Sequence, residues 1–165
     1  MEIIEYIDKP KLRAFVREHL YYEIRMLYGT ARELKEGTSN IYVYNALLES
    51  FVIHASIILD FFYLPQESGD DARAVHYVKD VKKWKSALPL KEKQFSIFHQ
   101  KRNKEVVHLS YKRLEIRPGQ KRWHAQQIVM KIRRVVNVFL EHADPGLVDP
   151  KLYELRSEDV SYEPF

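Results

Sequence analysis

Apolar residues recur at three- and four-residue steps along most of this chain. Leu12, Phe15, Val16, Leu20, Ile24, Leu27 and Leu34 predict a long amphipathic helix stopping at Gly37. Asp8 suits its cap, and Pro10 suits the first turn, where a missing N–H costs nothing. Ser39 or Asn40 caps a second helix over 41–63, ended by Pro65. That helix is apolar around most of its circumference, as expected of a central element packed on several sides. One stripe is polar: Asn45, Glu49, Ser56 and Asp60 fall within about 60° of one another. Buried carboxylates are costly unless paired, so Glu49 and Asp60 reach solvent or meet cations.

Residues 66–73 read as a loop, and Val78, Val81 and Trp84 predict a shorter helix over 75–84. Beyond Pro89 a fourth helix is expected over 90–111, with Phe95, Phe98, Val106 and Leu109 facing inward. After the Arg117-Pro118-Gly119 turn, Ile128, Ile132, Val135, Val136 and Phe139 predict a fifth helix over 121–142. Trp84 and Trp123 are expected to anchor the core, and His54 to make a core hydrogen bond. Ile41 to Tyr44 is locally β-prone, but no sustained strand pattern occurs. The fold class is therefore all-α, a four- to five-helix bundle. Residues 1–142 form one helical domain, and 143–165 form an acidic tail that packs on it or extends from it.

A chain of 165 residues buries roughly 70% of its unfolded surface and needs no staple to hold a core. Cysteine is absent, which excludes disulfides, thiolate metal sites and cysteine nucleophiles. The N-terminus carries Glu2, Glu5 and Asp8 where a secretory signal would be basic and then apolar. The apolar run at 46–64 is interrupted by Glu49, His54 and Asp60, as in a core helix rather than a bilayer span. A cytoplasmic protein without a membrane partner is expected. No glycine-rich phosphate loop and no HExxH occur, and the seven histidines are scattered. Neither a cofactor nor a metal is expected.

The charge is unevenly placed. Residues 100–134 hold eleven Lys or Arg against Glu105 and Glu115, a net of +9 in a chain whose total is +4. The tail contributes −4, with six acids against Lys151 and Arg156. A basic block of this kind is the electrostatic footprint of nucleic acid, and Lys101, Lys104, Lys112 and Arg113 are its candidate RNA contacts.

Within the block stands Lys101-Arg102-Asn103-Lys104-Glu105-Val106-Val107-His108. An imidazole titrating near pH 6.5 can exchange a proton at neutral pH. A guanidinium offers a planar fork of donors to a phosphate, and an amide can orient either group. These groups suffice for attack of a ribose 2′-hydroxyl on its own phosphodiester without metal. The spacing of Arg102, Asn103 and His108 resembles the Arg-x(4–6)-His motif of the HEPN superfamily. The run from Asn45 to Phe51, continuing to Leu59-Asp60-Phe61-Phe62, is similar to the central helix of bacterial HEPN-like proteins. The resemblance spans about 45–140. It implies a HEPN-like helical bundle, homodimerisation, RNA as partner, and metal-independent endoribonuclease activity of the kind found in toxin and defence systems. Relatives work beside an antitoxin or a nucleotidyltransferase, and some have lost catalysis and serve as binding modules. Arg102, Asn103 and His108 take the catalytic positions, with Glu49, Asp60 and Tyr111 as supporting residues.

On one straight α-helix, residues six apart lie about 9 Å apart along the axis and about 120° around it. Arg102 and His108 would then share a phosphate only if the helix bends or two protomers form the cleft.

Overall fold

The computed structural model describes residues 8–64, 70–89 and 92–156. Pro65 and the rest of the expected loop to Gly69, Leu90, and the last nine residues of the acidic tail lie outside them. The described chain is all-α, with six α-helical segments and no strand.

Helix α1 (Lys9–Phe15) begins where Asp8 accepts the Lys11 N–H at 2.9 Å, with Pro10 in the first turn. A single π turn, Val16–Leu20, joins it without a break to α2 (Tyr21–Glu36). Gly37 ends the run at φ 80°, a conformation that favours glycine, and its N–H returns to the Glu33 carbonyl at 2.9 Å. Asn40 Oδ1 then accepts the N–H groups of Tyr42 and Val43 at 3.0 and 3.3 Å, starting α3 (Ile41–Tyr63). This helix is long and apolar enough to cross a membrane by length and composition alone. From Phe51 onward it is the central strut of the fold, packed by α2, α5 and α6. Its first turns stand out from the core, with Tyr42 83% exposed, and are helical rather than extended.

The helix expected over 75–84 is divided. Residues Ala74–His76 form a 3₁₀ turn, and Asp80 caps a new helix, α4 (Val81–Ala87). Between them the backbone is engaged elsewhere: Lys79 N–H bonds the His142 carbonyl, Asp144 N–H bonds the Tyr77 carbonyl, and Val78 bridges Ala143. A helix through 77–79 would forfeit those bonds. Trp84 is fully buried, as expected, among Phe62, Phe139 and His142.

Helix α5 (Glu92–Arg102) is shorter than expected, and a π turn, Asn103–Val107, takes its place before His108. The chain after it is irregular. Leu109, expected to face inward, is therefore almost fully exposed. Helix α6 (Ala125–His142) starts four residues later than expected and buries Val129, Ile132, Val135, Val136, Phe139 and Leu140. The segment after Asp144 folds back on the core: Val148, Leu152 and Leu155 are buried, the last two within the 3₁₀ helix Pro150–Arg156.

Candidate functional site

The polar stripe of α3 meets α5. Ser56 is buried and Asp60 half-buried, and both face Arg102. The Arg102 guanidinium donates from Nη1 to the Ser56 hydroxyl, and Asp60 Oδ2 lies 3.8 Å from the same nitrogen. Its other edge donates from Nε and Nη2 to Asn103 Oδ1, at 3.0 and 2.9 Å. Arg102 is thus fixed between α3 and its own neighbour, and its side chain retains 21% exposure. Glu49, the other carboxylate of the stripe, is exposed and takes no part.

His99 joins this group from one helical turn earlier. Its Nε2 lies 3.1 Å from Asp60 Oδ1. The approach is out of line for a hydrogen bond, so both atoms are buried without a hydrogen-bond partner. Phe95 and Phe98 pack against the ring. Asp60 therefore faces an imidazole with one oxygen and a guanidinium with the other. The sequence held a signal for this, since residues three apart share a helix face and His99 is three before Arg102.

His108 sits differently. Residues 103–107 wind as a π turn in which the His108 N–H donates to the Asn103 carbonyl at 2.9 Å. His108 itself is extended (φ −116°, ψ 134°) and exposed, and its ring has no hydrogen-bond partner among the described residues. The straight helix assumed for the spacing of Arg102 and His108 does not exist. One wide turn links them instead: Arg102 to the Asn103 side chain, and the Asn103 carbonyl to His108.

The expected RNA contacts divide. Lys101 is a staple: its ammonium donates to the carbonyls of Gln120 and Arg122, pairs with Glu105 at 3.3 Å, and lies 4.9 Å over the Trp123 ring. Arg113 donates from Nε to the Lys104 carbonyl at 2.8 Å, tying the following 3₁₀ turn back to the π turn. Lys112 and Tyr111 are exposed, with Tyr111 at 92%. Trp123 is half-buried and packs against the edge of the core beside Phe98, because the chain before α6 runs over the surface. His54 does make an internal contact, its Nδ1 lying 2.6 Å from Glu23 Oε2.

A depression of about 320 Å³ joins Asn45 and Glu49 of α3 to Glu105, Val106 and Arg113. Exposed apolar side chains occur at the start of α3 (Ile41, Tyr42, Val43, Tyr44) and at and after the π turn (Val107, Leu109, Leu114). Among the described residues no group of His, Asp and Glu is arranged to hold a metal ion. Comparison with family models, characterised proteins and solved structures finds no match to this chain.

Proposed function

We propose that this protein is a HEPN-type, metal-independent endoribonuclease. The observation that carries the reading is the wide turn at 103–107, which ties Arg102, Asn103 and His108 into one connected unit. His108, exposed and without a side-chain partner, takes the 2′-hydroxyl proton as that oxygen attacks phosphorus. The bond to the 5′-oxygen breaks, and the leaving oxygen takes a proton from solvent. The products are a 2′,3′-cyclic phosphate and a free 5′-hydroxyl. Arg102 stabilises the charge that develops on the phosphate oxygens, and Asn103 holds the guanidinium in place.

The active form in this reading is a homodimer, which covers the apolar side chains around α3 and residues 107–114 and sets two copies of the turn against one cleft. Its working setting is cytoplasmic, beside an antitoxin or a nucleotidyltransferase.

One observation favours a second reading, a non-catalytic RNA-binding or protein-interaction module. Ser56 and Asp60 already occupy Arg102, as they would if it only locked α5 onto α3. The deciding experiment incubates purified protein with mixed RNA in excess EDTA, beside the His108→Ala variant, and analyses the fragment ends. Cleavage by the unaltered protein alone, leaving cyclic phosphates, supports the nuclease. Intact RNA with a folded dimer supports the module.

A further inference from the structure

A slot of about 460 Å³ lies between α5 and α6, with Leu59 of α3 beneath it. Phe95 and Phe98 line one side, and Ile128 and Ile132 the other. Leu59 and Ile132 are buried, and the other three are half-buried. Trp123 stands at one end and is already covered. Phe98 meets its ring at a centroid distance of 5.7 Å, and the Lys101 ammonium lies 4.9 Å over it. Lys101 is committed as well, to the Gln120 and Arg122 carbonyls and to Glu105. Neither is left for a ligand.

The charges that remain are Arg122 and Lys131. Both are exposed and line the slot, and neither makes an ion pair among the described residues. No acidic residue among those described lines it. The Lys101 bonds hold the end of α5 beside the chain entering α6, so Gln94 and Lys131 lie toward the opposite end of the slot. From Gln94 to Lys101, and from His124 to Lys131, the chain rises about 10 Å along each helix.

We propose that this slot binds a linear apolar carboxylate of about eight carbons, a length that matches the rise of the two helices. The chain lies along Phe95, Phe98, Ile128 and Ile132, whose side chains offer it nothing to hydrogen-bond. The head group meets Arg122, whose planar fork of donors suits a carboxylate, and Lys131 adds to a rim that repels cations. A neutral chain would gain the apolar contacts only. A small anion would gain the charge only, at an exposed position where one ion pair is worth little. The site stands apart from the nuclease reading, since it uses neither Arg102 nor His108 and requires no RNA.

The test titrates the full chain with sodium octanoate, kept below its micelle concentration, and follows the isoleucine methyl signals by NMR. Acetate, 1-octanol and octylammonium are the other arms. Saturable shifts at Ile128 and Ile132 are expected with octanoate, while Ile24, buried in α2, stays still. Octanol should bind about fivefold more weakly, octylammonium more weakly again, and acetate without saturation. Arg122→Gln, at an exposed position, should weaken octanoate about fivefold and leave octanol unchanged. Four outcomes overturn the proposal: unmoved Ile128 and Ile132 signals, octanol as tight as octanoate, octylammonium tighter than octanol, or unchanged octanoate affinity in Arg122→Gln. Shifts of the same signals with protein concentration alone, before any octanoate is added, would give the slot to a second copy of the chain and overturn it too.

Discussion

Asp60 Oδ2 lies 3.8 Å from Arg102 Nη1, and the other oxygen of that carboxylate faces His99 Nε2 at 3.1 Å. One acid on α3 therefore stands beside two basic groups on α5. Substitution Asp60→Asn keeps the shape and removes the charge, leaving Arg102 with Ser56 and Asn103 only. The expected cost is about 1–2 kcal/mol of stability, read from urea unfolding. If Arg102 acts on a phosphate, the same variant should lower kcat more than it raises KM, because it displaces a charge needed as the phosphate becomes more negative. A loss of stability with kcat unchanged would identify Asp60 as a helix lock alone.

His108 makes the opposite prediction. Its ring is exposed and unpartnered, so His108→Ala should leave stability within about 0.5 kcal/mol. Removal of a general acid or base costs about a hundredfold or more in rate. His99→Ala should instead destabilise, because that ring is packed by Phe95 and Phe98. Paired melting and cleavage assays on the two variants separate the histidine that acts from the one that packs. A rate loss in His99→Ala with the rate of His108→Ala unchanged would assign the proton transfer to His99 beside Asp60.

Much of this arrangement was legible in the residues. The caps at Asp8 and Asn40, the buried Trp84 and the alignment of Ser56 with Asp60 follow from periodicity and cap chemistry. The end of α5 was not legible, because no Gly or Pro marks it between Asn103 and His108. There the hydrogen-bonding pattern changes without any residue that forces it. Val78 was misread for a related reason: its apolar side chain fits a helix, but its backbone neighbours bond to residues 142–144, far along the chain. Trp123 packs on the core as its size and apolarity suggest, but only in part, because it precedes the start of α6.

The acidic character of the C-terminal region conceals a structural role. Leu152 and Leu155 are fully buried, and the Tyr21 hydroxyl approaches Glu154 at 3.4 Å. Leu152→Ala should cost about 2–5 kcal/mol, the range for a large-to-small change in a packed core. Thermal or urea denaturation measures it. A cost below about 1 kcal/mol would mean that residues 150–156 are not part of the cooperative unit.

The apolar side chains around Tyr42 predict self-association. Tyr42→Glu places a charge where a dimer would bury the ring, and it disturbs no core contact because the side chain is 83% exposed. Sedimentation should show the unaltered chain as a dimer and the variant as a monomer with an unchanged melting profile at low concentration. A monomeric unaltered chain would remove the dimer from the proposed mechanism.

Tyr77 makes a prediction about alkaline pH. Its ring is 1% exposed against Phe61, and burial pushes the phenol from 10.0 up to about 12. The unfolded chain gives up this proton near pH 10, while the folded chain keeps it until about 12. The folded state therefore binds more protons in that window, and stability falls as pH rises through it. Below pH 10 both states are protonated and the contribution is whole. In Tyr77→Phe this group no longer titrates, and no hydrogen bond of the hydroxyl is lost among the described residues. Lysines and the other tyrosines titrate in both proteins, so the difference between the two isolates Tyr77. At about pH 11 the variant should have lost roughly 1 kcal/mol less stability than the unaltered chain, relative to neutral pH. Parallel decline of the two curves would show that the Tyr77 phenol is as well solvated folded as unfolded, and that the packing of the 77–79 segment against residues 142–144 opens before the core does.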